Sequence, residues 1–169
     1  MIHILKANED HVKGIRKVCS DGNWATYREI YAKEYIERVI EEFYNEERIL
    51  KEVTTSNREW GGYFVAIEKG EVIGAGGGGM IGDNEGELYV LYLDPTRRNE
   101  GIGTLLLEAI TQQQKEEFHA GKQWVSVQQG NQKGIPFYEA RGFVFECEQD
   151  GYGNKEDEDY RSLRYYRFI

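Results

Sequence analysis

The sequence predicts one domain of mixed α/β structure, and three observations support this. The chain has 169 residues, which is enough for one ordinary domain and short for two. In some segments apolar and polar residues alternate, which is typical of strands, and in others apolar residues recur every three or four positions, which is typical of helices. The two kinds of segment are interspersed along the chain. The resulting order is β-α-α-β-β-β-α-β-α-β-β without a linker or a repeat, so we expect a mixed sheet with helices on both faces.

The elements of the first half follow from this periodicity and from turn-forming residues. An Asn or an Asp opens the first helix, and a Gly within a polar cluster is expected to end it. A Lys-Gly pair between two alternating segments is typical of a hairpin. In chain order, the expected elements are a strand over 2–6, a helix that starts after Asn8 or Asp10 and breaks at Asp21-Gly22-Asn23, a helix over 35–43, a polar loop over 54–57, and two strands over 62–68 and 71–79.

The second half starts with the most strand-like segment of the chain, 88–93, which Asp94-Pro95 ends because proline donates no backbone hydrogen bond. After it we expect a helix that opens near Gly101, a strand over 123–129, a helix over 134–140, and strands over 143–147 and 160–169. In the strand around 88–93, simple alternation places two sets of side chains on opposite faces. One set is Glu87, Tyr89, Leu91 and Leu93, and the other is Leu88, Val90 and Tyr92.

Composition limits the function. The net charge is −9, from 21 basic and 30 acidic residues, which disfavours nucleic-acid binding and suits a cationic substrate. The two cysteines and three histidines lack the spacing of a disulfide framework or a zinc site, so no metal is expected. No apolar run approaches the roughly 20 residues of a membrane span, and the first residues are too few and too polar for a signal peptide. We therefore expect a cytoplasmic protein that binds neither nucleic acid nor a membrane.

Two glycine-rich segments are candidates for a phosphate-binding site. Gly74–Gly79 formally matches the dinucleotide fingerprint, but a turn follows it, whereas that site needs a helix to begin there. We interpret this segment as a strand without side chains that admits a ligand or a close neighbour. The second segment has the required order of strand, turn and amphipathic helix, with Gly101 and Gly103 at the helix start and Arg97 and Arg98 beside it. An anion site and an ordinary strand-to-helix turn both remain open for it.

A third segment contains a short helix between Asn131 and Gly142-Phe143, with Tyr138 near its end. By itself, Tyr138 is either a core residue with its hydroxyl at the rim or a functional group. The second and third segments together resemble the GNAT superfamily of acetyl-CoA-dependent N-acetyltransferases. The main signature of that family is matched by Arg98-x-x-Gly101-x-Gly103 after a strand, and the second by Asn131, Tyr138 and Gly142-Phe143. The order of elements agrees over essentially the whole chain, although Asn99 stands where Gly is common.

The resemblance implies one N-acetyltransferase domain over residues 1–169. Its fold would be a central, mixed and mostly antiparallel twisted sheet of about seven strands, flanked by about four helices. Strands 4 and 5 would splay apart, and the pantetheine arm of acetyl-CoA would lie between them as a pseudo-strand. The residues that the resemblance implies for binding of coenzyme A are Leu91, Tyr92, Leu93, Arg98, Asn99, Glu100, Gly101, Ile102, Gly103, Thr104, Asn131 and Tyr138.

The resemblance also implies two catalytic residues. A free amine is almost fully protonated at pH 7, so an acceptor must lose a proton before it attacks. Glu87 matches the family position that often acts as the base, directly or through water, and Tyr138 would protonate the departing thiolate. From the residues alone, Glu87 is equally interpreted as a solvated carboxylate at the end of a strand.

The resemblance further implies that the acceptor binds between the first two helices, with Glu87 among the residues that bind it. Trp24, Tyr27 and Tyr31 lie there, in a pattern similar to a subgroup of bacterial members. Aromatic faces and carboxylates suit an amine cation, and packing between helices is the alternative for these aromatic residues. The acidic run Glu156-Asp157-Glu158-Asp159 either adds to this site or is only solvated.

The sequence thus predicts an enzyme that transfers an acetyl group from acetyl-CoA to a primary amine of a small molecule in a ternary complex. A protein N-terminus or a lysine is the alternative acceptor. A non-catalytic acyl-CoA sensor and a nicotinamide-dependent oxidoreductase are the alternatives of another class. The resemblance also implies a homodimer, which is common in the family.

Overall fold

The computed structural model describes residues 1–151, 153–156 and 158–169, and it contains one seven-stranded sheet. The strands are β1 (His3–Lys6), β2 (Phe64–Glu68), β3 (Glu71–Met80), β4 (Glu85–Leu93), β5 (Lys122–Gln128), β6 (Val144–Asp150) and β7 (Arg161–Phe168). The α-helices are α1 (Val12–Tyr27), α2 (Lys33–Phe43), α3 (Glu46–Val53), α4 (Ile102–Phe118) and α5 (Gly134–Ala140). No helix within the described ranges has the length and apolar character to cross a membrane.

The sheet has the order β1-β2-β3-β4-β5-β7-β6, and β4 and β5 are parallel while the other described neighbours are antiparallel. The parallel pairing is short, because it joins residues 85–88 to residues 122–125 and then stops. Beyond Leu88 the two strands part, which confirms the predicted splay between strands 4 and 5. The predicted fold class is also confirmed, with five helices where about four were expected.

The helices cover the sheet from both sides. One apolar cluster joins α1, α2 and α3 to β2, β3 and β4 on the first face. Two further clusters join α4 and α5 to the second face, with Ile102, Leu106 and Ile110 of α4 fully buried. The core therefore lies on both sides of the central strands, and both faces of β4 are fixed by packing.

α1 runs through the segment that was expected to break it, so the prediction of a break at 21–23 was wrong. The buried Asn23 donates its Nδ2–H to the carbonyl of Cys19 at 2.7 Å, which supports the helix instead of ending it. Gly22 faces β4, where an added Cβ would lie 2.8 Å from Cδ1 of Tyr92. This glycine permits close packing of helix on sheet, and the residues up to Tyr27 form the last turn of α1 and not a connection between helices.

α3 is a helix that the sequence analysis missed. Its N-terminus is capped by Asn45, whose Oδ1 accepts the N–H of Arg48 at 2.8 Å, and two glutamates occupy its first turn. Ile49 is its one buried residue among those described. With so few core positions, apolar periodicity did not mark this helix.

The glycine run lies inside β3. Because β3 is followed by β4 and not by a helix, the dinucleotide-binding interpretation of Gly74–Gly79 is wrong. At Gly74 an added Cβ would lie 2.9 Å from Cγ2 of Ile102 on α4, and at Gly77 it would lie 2.5 Å from Cη2 of Trp60 on the opposite face. The run therefore admits close neighbours on both sides of the strand, as we interpreted it.

A β-bulge interrupts β4 opposite these glycines. Gly77 pairs with Val90, but Gly78 pairs with Leu88, which leaves Tyr89 as the extra residue. A bulge of this kind shifts the alternation of side chains by one position.

Residues before and after the bulge are consequently out of phase. Leu91 and Leu93 pack on the side of α4, whereas Val90 and Tyr92 pack with α1. Glu87 precedes the bulge and shares the face of α1, so the predicted alternation, which grouped Glu87 with Leu91 and Leu93, was wrong. The bulge thus separates the side chain of the predicted base from those of the predicted cofactor-binding leucines.

Candidate active site

A cavity of about 760 Å³ opens where β4 and β5 part. Its wall includes residues of α1, α2, α3 and α5 and of the four strands β4 to β7. A volume in this range is typical of small-molecule and cofactor sites. The wall contains both Leu91, from the predicted cofactor segment, and Glu87, the predicted base.

The start of α4 presents main-chain N–H groups that no side chain caps. Gly101 is the N-cap residue with a φ of +79°, and Asn99 has a φ of +65°. Gly adopts this left-handed region freely, and Asn tolerates it better than most residues. The N–H groups of Ile102, Gly103 and Thr104 have no carbonyl partner within the helix, so they can bind an anion.

Positive side chains stand beside this helix start. Arg98 and Lys133 both line the cavity. Arg97 is turned elsewhere, because its guanidinium lies 2.8 Å from the carboxylates of Glu68 and Glu100. Arg98 and Lys133 therefore supply the charge at this end, while Glu100 is engaged by Arg97. Lys133 was missed by the sequence analysis because it stands at a position of the second signature that the motif does not specify.

Thr104 and Asn131 make local hydrogen bonds at the starts of two helices. The Oγ1 of Thr104 accepts from Nε of Arg141 at 3.1 Å. The Oδ1 of Asn131 accepts from the N–H of Gly134 at 2.8 Å, and Asn131 also lines the cavity. These bonds tie α4 to the end of α5 and fix the loop before α5 at the cavity.

Beyond Leu88, β4 no longer pairs with β5, and main-chain groups of β4 face the gap between the two strands. The N–H of Asp94 donates to the carbonyl of Ile73 on β3 at 2.8 Å. Successive N–H groups of a strand point to opposite sides, so those of Leu91 and Leu93 point away from β3 and into the gap. Leu91, Tyr92 and Leu93 all line the cavity. An extended ligand can pair there as an additional strand.

Tyr138 reaches the cavity from α5. Its side chain is buried, with the rings of Phe137 and Phe143 at centroid distances of 5.1 and 5.5 Å. Burial raises the pKa of the Tyr138 phenol well above its usual value, so the hydroxyl stays protonated at neutral pH. A protonated phenol in a cavity wall can donate a proton to a ligand.

Glu87 lies in the cavity wall on β4 with its side chain only 14% exposed. Its Oε1 lies 2.8 Å from Nη1 of Arg164 on β7. The structure therefore does not support the alternative of a solvated carboxylate at a strand end. Arg164 lines the same cavity and was missed by the sequence analysis, because β7 carries no motif.

The end of the cavity near α3 is aromatic and holds two carboxylates, one of which lies 3.7 Å from Nε of Arg48. Glu52 of α3 and Glu59 before β2 line it together with Trp60 and Tyr89, whose rings stack at 6.5 Å. Burial raises the pKa of Glu52, and burial and the charge of Glu87 raise the pKa of Tyr89. Carboxylates and aromatic faces attract cations. None of these four residues belongs to a motif, and no sequence signal identified them.

The three aromatic residues predicted to bind the acceptor lie in different places. Tyr27 lines the cavity together with Tyr138. Tyr31 lines a smaller neighbouring pocket and donates its hydroxyl to Oε1 of Gln128 at 2.6 Å. Trp24 packs against the core on the side of α1 and lines neither of these pockets. The structure thus brings Tyr27 to the large cavity, and places Trp24 and Tyr31 outside it.

Two further features lie away from the cavity. In the acidic run 156–159, Glu158 lies 2.5 Å from Arg38 of α2, and Asp157 is outside the residues that the structure describes. Within the described ranges, no three His, Cys, Asp or Glu side chains are grouped so that they could hold a metal ion.

Comparison with known proteins agrees with this geometry. Residues 24–143 match the model of the acetyltransferase (GNAT) family. A spermidine N(1)-acetyltransferase from Thermoplasma acidophilum is 33% identical over 147 residues, which cover 86% of this chain and 89% of that protein. The crystal structure of PaiA N-acetyltransferase from Thermoplasma acidophilum in complex with coenzyme A has a TM-score of 0.82 at 28% identity, and the match covers 97% of this chain and 98% of that one.

A more distant structure shares the fold alone. The ribosomal-protein-S18-alanine N-acetyltransferase from Escherichia coli has a TM-score of 0.71 at 15% identity, with 100% of this chain and 94% of that chain covered.

The cavity offers an uncapped helix start and a free strand edge at one end and carboxylates at the other, so it can hold an anionic and a cationic ligand together. The family match covers well over half of the chain, and the chain belongs to the acetyltransferase (GNAT) family. It is an N-acetyltransferase that depends on acetyl-CoA. The recognition from two short motifs is thereby confirmed, together with the predicted enzyme class and donor.

Proposed function

We propose that this enzyme acetylates a primary amine of a small polyamine-like cation by direct attack in a ternary complex. One observation carries the proposal: a single cavity joins the uncapped start of α4 to an aromatic end near α3 that holds two carboxylates. Acetyl-CoA and a cationic acceptor can therefore be bound in the same cavity at the same time. The relative at 33% identity, a spermidine N(1)-acetyltransferase, supports this class of acceptor.

The residues at the α4 end fit acetyl-CoA. The main-chain N–H groups at Ile102–Thr104, with Arg98 and Lys133, suit a diphosphate. The main-chain groups of Leu91 and Leu93 suit the amides of a pantetheine arm. Gly103 keeps this wall clear, since an added Cβ would lie 3.2 Å from Cε1 of Phe137. Bound acetyl-CoA supplies an activated thioester carbonyl to this site.

Glu87 is the proposed base. An alkylammonium group with a pKa near 10 is charged at pH 7 and has no lone pair for attack. Glu52 and Glu59 attract the cation to the cavity, and Glu87 accepts one proton from the reacting ammonium, directly or through water. The neutral nitrogen then forms its bond to the acetyl carbon.

Tyr138 is the proposed acid. The carbon–sulfur bond breaks as the carbon–nitrogen bond forms, and its electron pair leaves with the sulfur. Tyr138 donates its phenolic proton to that sulfur and is reprotonated from solvent, while the acetylated nitrogen loses its second proton to solvent. The proton on Glu87 also passes to solvent, so one proton is released for each amide and thiol formed. Thiols have a pKa near 8.5, so the sulfur is already a fair leaving group, and Tyr138 assists its departure.

The experiment is an acceptor screen with acetyl-CoA that measures thiol release. The panel contains spermidine, spermine, putrescine, n-butylamine as a matched monoamine, and peptides with either a free N-terminus or a lysine. We expect turnover with the polyamines, with kcat/KM about tenfold or more above n-butylamine, since one extra ion pair of about 1.4 kcal/mol gives a factor of ten.

Two outcomes would contradict the proposal. Preferential turnover of a peptide would make the protein an N-terminal or lysine acetyltransferase. Binding of coenzyme A without turnover of any amine would indicate an acyl-CoA sensor.

A further inference from the structure

Glu87 and Arg164 form a buried ion pair that the proposed chemistry does not yet explain. Nη1 of Arg164 lies 2.8 Å from Oε1 of Glu87, and the two side chains are only 15% and 14% exposed. Removing two charges from water carries a desolvation cost that their attraction repays only when the geometry is good. A pair of hydrophobic residues that filled the same space would often be equally stable or more stable. Stability alone therefore does not explain a pair of charges at this position.

Arg164 is held from three sides at the point where β4 and β5 separate. Its Nη1 donates to Oγ of Ser126 at 2.9 Å, and its guanidinium lies 4.8 Å from the ring centre of Trp124. In the register, Ser126 is opposite Arg164, and Trp124 is beside Glu87. Arg164 therefore reaches from β7 across β5 to β4, and its position is fixed by groups other than Glu87.

We infer that Arg164 is a positioning residue for Glu87, and this rests on the proposed function, in which Glu87 is the base. Arg164 holds the Glu87 carboxylate in the cavity wall at the end of the parallel pairing, where acceptor and donor meet. An acceptor cation enters a cavity in which the base is already oriented.

Other charged and titratable groups surround Glu87. Of these, Tyr89 and Glu59 are nearest to the acceptor end, and Lys122 pairs with Glu85 at 3.9 Å on the solvent side. The charged groups that line the cavity with Glu87 are Arg48 and Glu52 on α3, Glu59 before β2, Arg98 before α4, Lys133 before α5 and Arg164 on β7. The tyrosines that line it are Tyr27, Tyr44, Tyr63, Tyr89, Tyr92 and Tyr138. Arg164 is the cation that contacts the Glu87 carboxylate within the described residues.

The test measures kcat and the KM of each substrate, with acetyl-CoA and spermidine, for Arg164→Gln and Arg164→Lys. In Arg164→Gln we expect kcat to fall about 10- to 100-fold while the KM for acetyl-CoA stays unchanged, because the Glu87 carboxylate is no longer held in place. In Arg164→Lys one ammonium group replaces the planar guanidinium that contacts Glu87, Ser126 and Trp124 together, so we expect partial rescue, with kcat about tenfold below wild type. Affinity for coenzyme A is expected to be unchanged in both.

Two further variants separate positioning from a structural role. In a Glu87→Gln background, the additional Arg164→Gln change is expected to lower kcat less than about threefold, because the two residues act as a unit. Arg161→Gln is the matched control: Arg161 lies on the same strand and pairs with Glu148 and Asp150 outside the cavity. We expect it to keep the wild-type kcat and KM values.

Wild-type kcat in Arg164→Gln would overturn the inference, as would independent, multiplicative losses in the double variant. If Arg164→Gln is too unstable to assay, wild-type kcat in Arg164→Lys would overturn it, and a reduced kcat with an unchanged KM for acetyl-CoA would support it. A wild-type enzyme that turns over no amine would instead overturn the proposed function, and the inference with it.

Discussion

The two ends of the cavity are built in different ways. The end near α4 comes from two short segments, 98–104 and 131–138, and acts mainly through main-chain groups. The end near α3 takes Glu52, Glu59 and Arg164 from separate parts of the chain and acts through side chains. A site made of main-chain groups can be predicted from a short segment of sequence, because glycines and helix-capping residues must occupy fixed positions in it. A site made of distant side chains becomes visible only when the sheet is assembled.

The largest expected effect concerns the residue where both ends meet. Tyr138→Phe removes the phenolic proton and leaves the ring packing, so we expect kcat to fall roughly 10²- to 10⁴-fold with little change in affinity for coenzyme A. Because the pKa of the Tyr138 phenol is raised by burial, we also expect wild-type kcat to show no alkaline decline between pH 8 and 9.5. Steady-state rates over this range check both. A turnover number equal to wild type would remove Tyr138 from the mechanism.

The next effect tests the backbone end. Gly101→Val places a β-branched residue at a φ of +79°, which costs about 1–2 kcal/mol or displaces the N–H groups. We expect the Kd for coenzyme A, measured by calorimetry, to rise about tenfold or more. Gly121→Val is the control, since Gly121 has no atom within 4 Å of an added Cβ and no positive φ. Equal affinity in both variants would mean that this helix start does not hold the donor.

A smaller effect tests the side-chain end. In Glu52→Gln we expect the KM for a polyamine to rise about threefold with kcat unchanged, because one attracting charge of modest exposure is lost. Burial raises the pKa of Glu52 in the folded protein, so the ionised form is disfavoured by folding at pH 7. The variant should therefore melt about 2 °C higher at pH 7, and the gain should shrink as the pH falls toward 4, where the wild-type carboxyl becomes protonated. A lower melting temperature at pH 7 would contradict this reasoning.

The smallest expected effect tests whether Tyr31 belongs to the acceptor site. Tyr31→Phe removes the hydrogen bond to Gln128 in the neighbouring pocket, which is worth about 1 kcal/mol of stability. We expect the KM for the acceptor to change less than about twofold, since Tyr31 is outside the large cavity. Initial rates together with a thermal melt measure the two effects separately. A large rise in KM would restore Tyr31 to the acceptor site.

Apart from α3, the order of elements and the helix start of α4 could be predicted from local patterns, and the splay followed from the resemblance that the two motifs carry. The bulge at Tyr89 could not, since it depends on how a run of glycines in β3 pairs with β4. For the same reason, simple alternation placed Glu87 on the wrong face. Gly22 was interpreted as a helix breaker because its role, close packing on Tyr92, exists only in the folded protein. The motif named Arg98 and not Arg97, and the ion pairs of Arg97 with Glu68 and Glu100 exist only in the folded protein.

The direct test of the central claim is an initial-rate study in which acetyl-CoA and spermidine are both varied. If donor and acceptor occupy one cavity together and the amine attacks the thioester, the double-reciprocal lines will intersect. Parallel lines would show that the acetyl group first moves to the protein and that the donor leaves before the amine reacts, which the account does not allow.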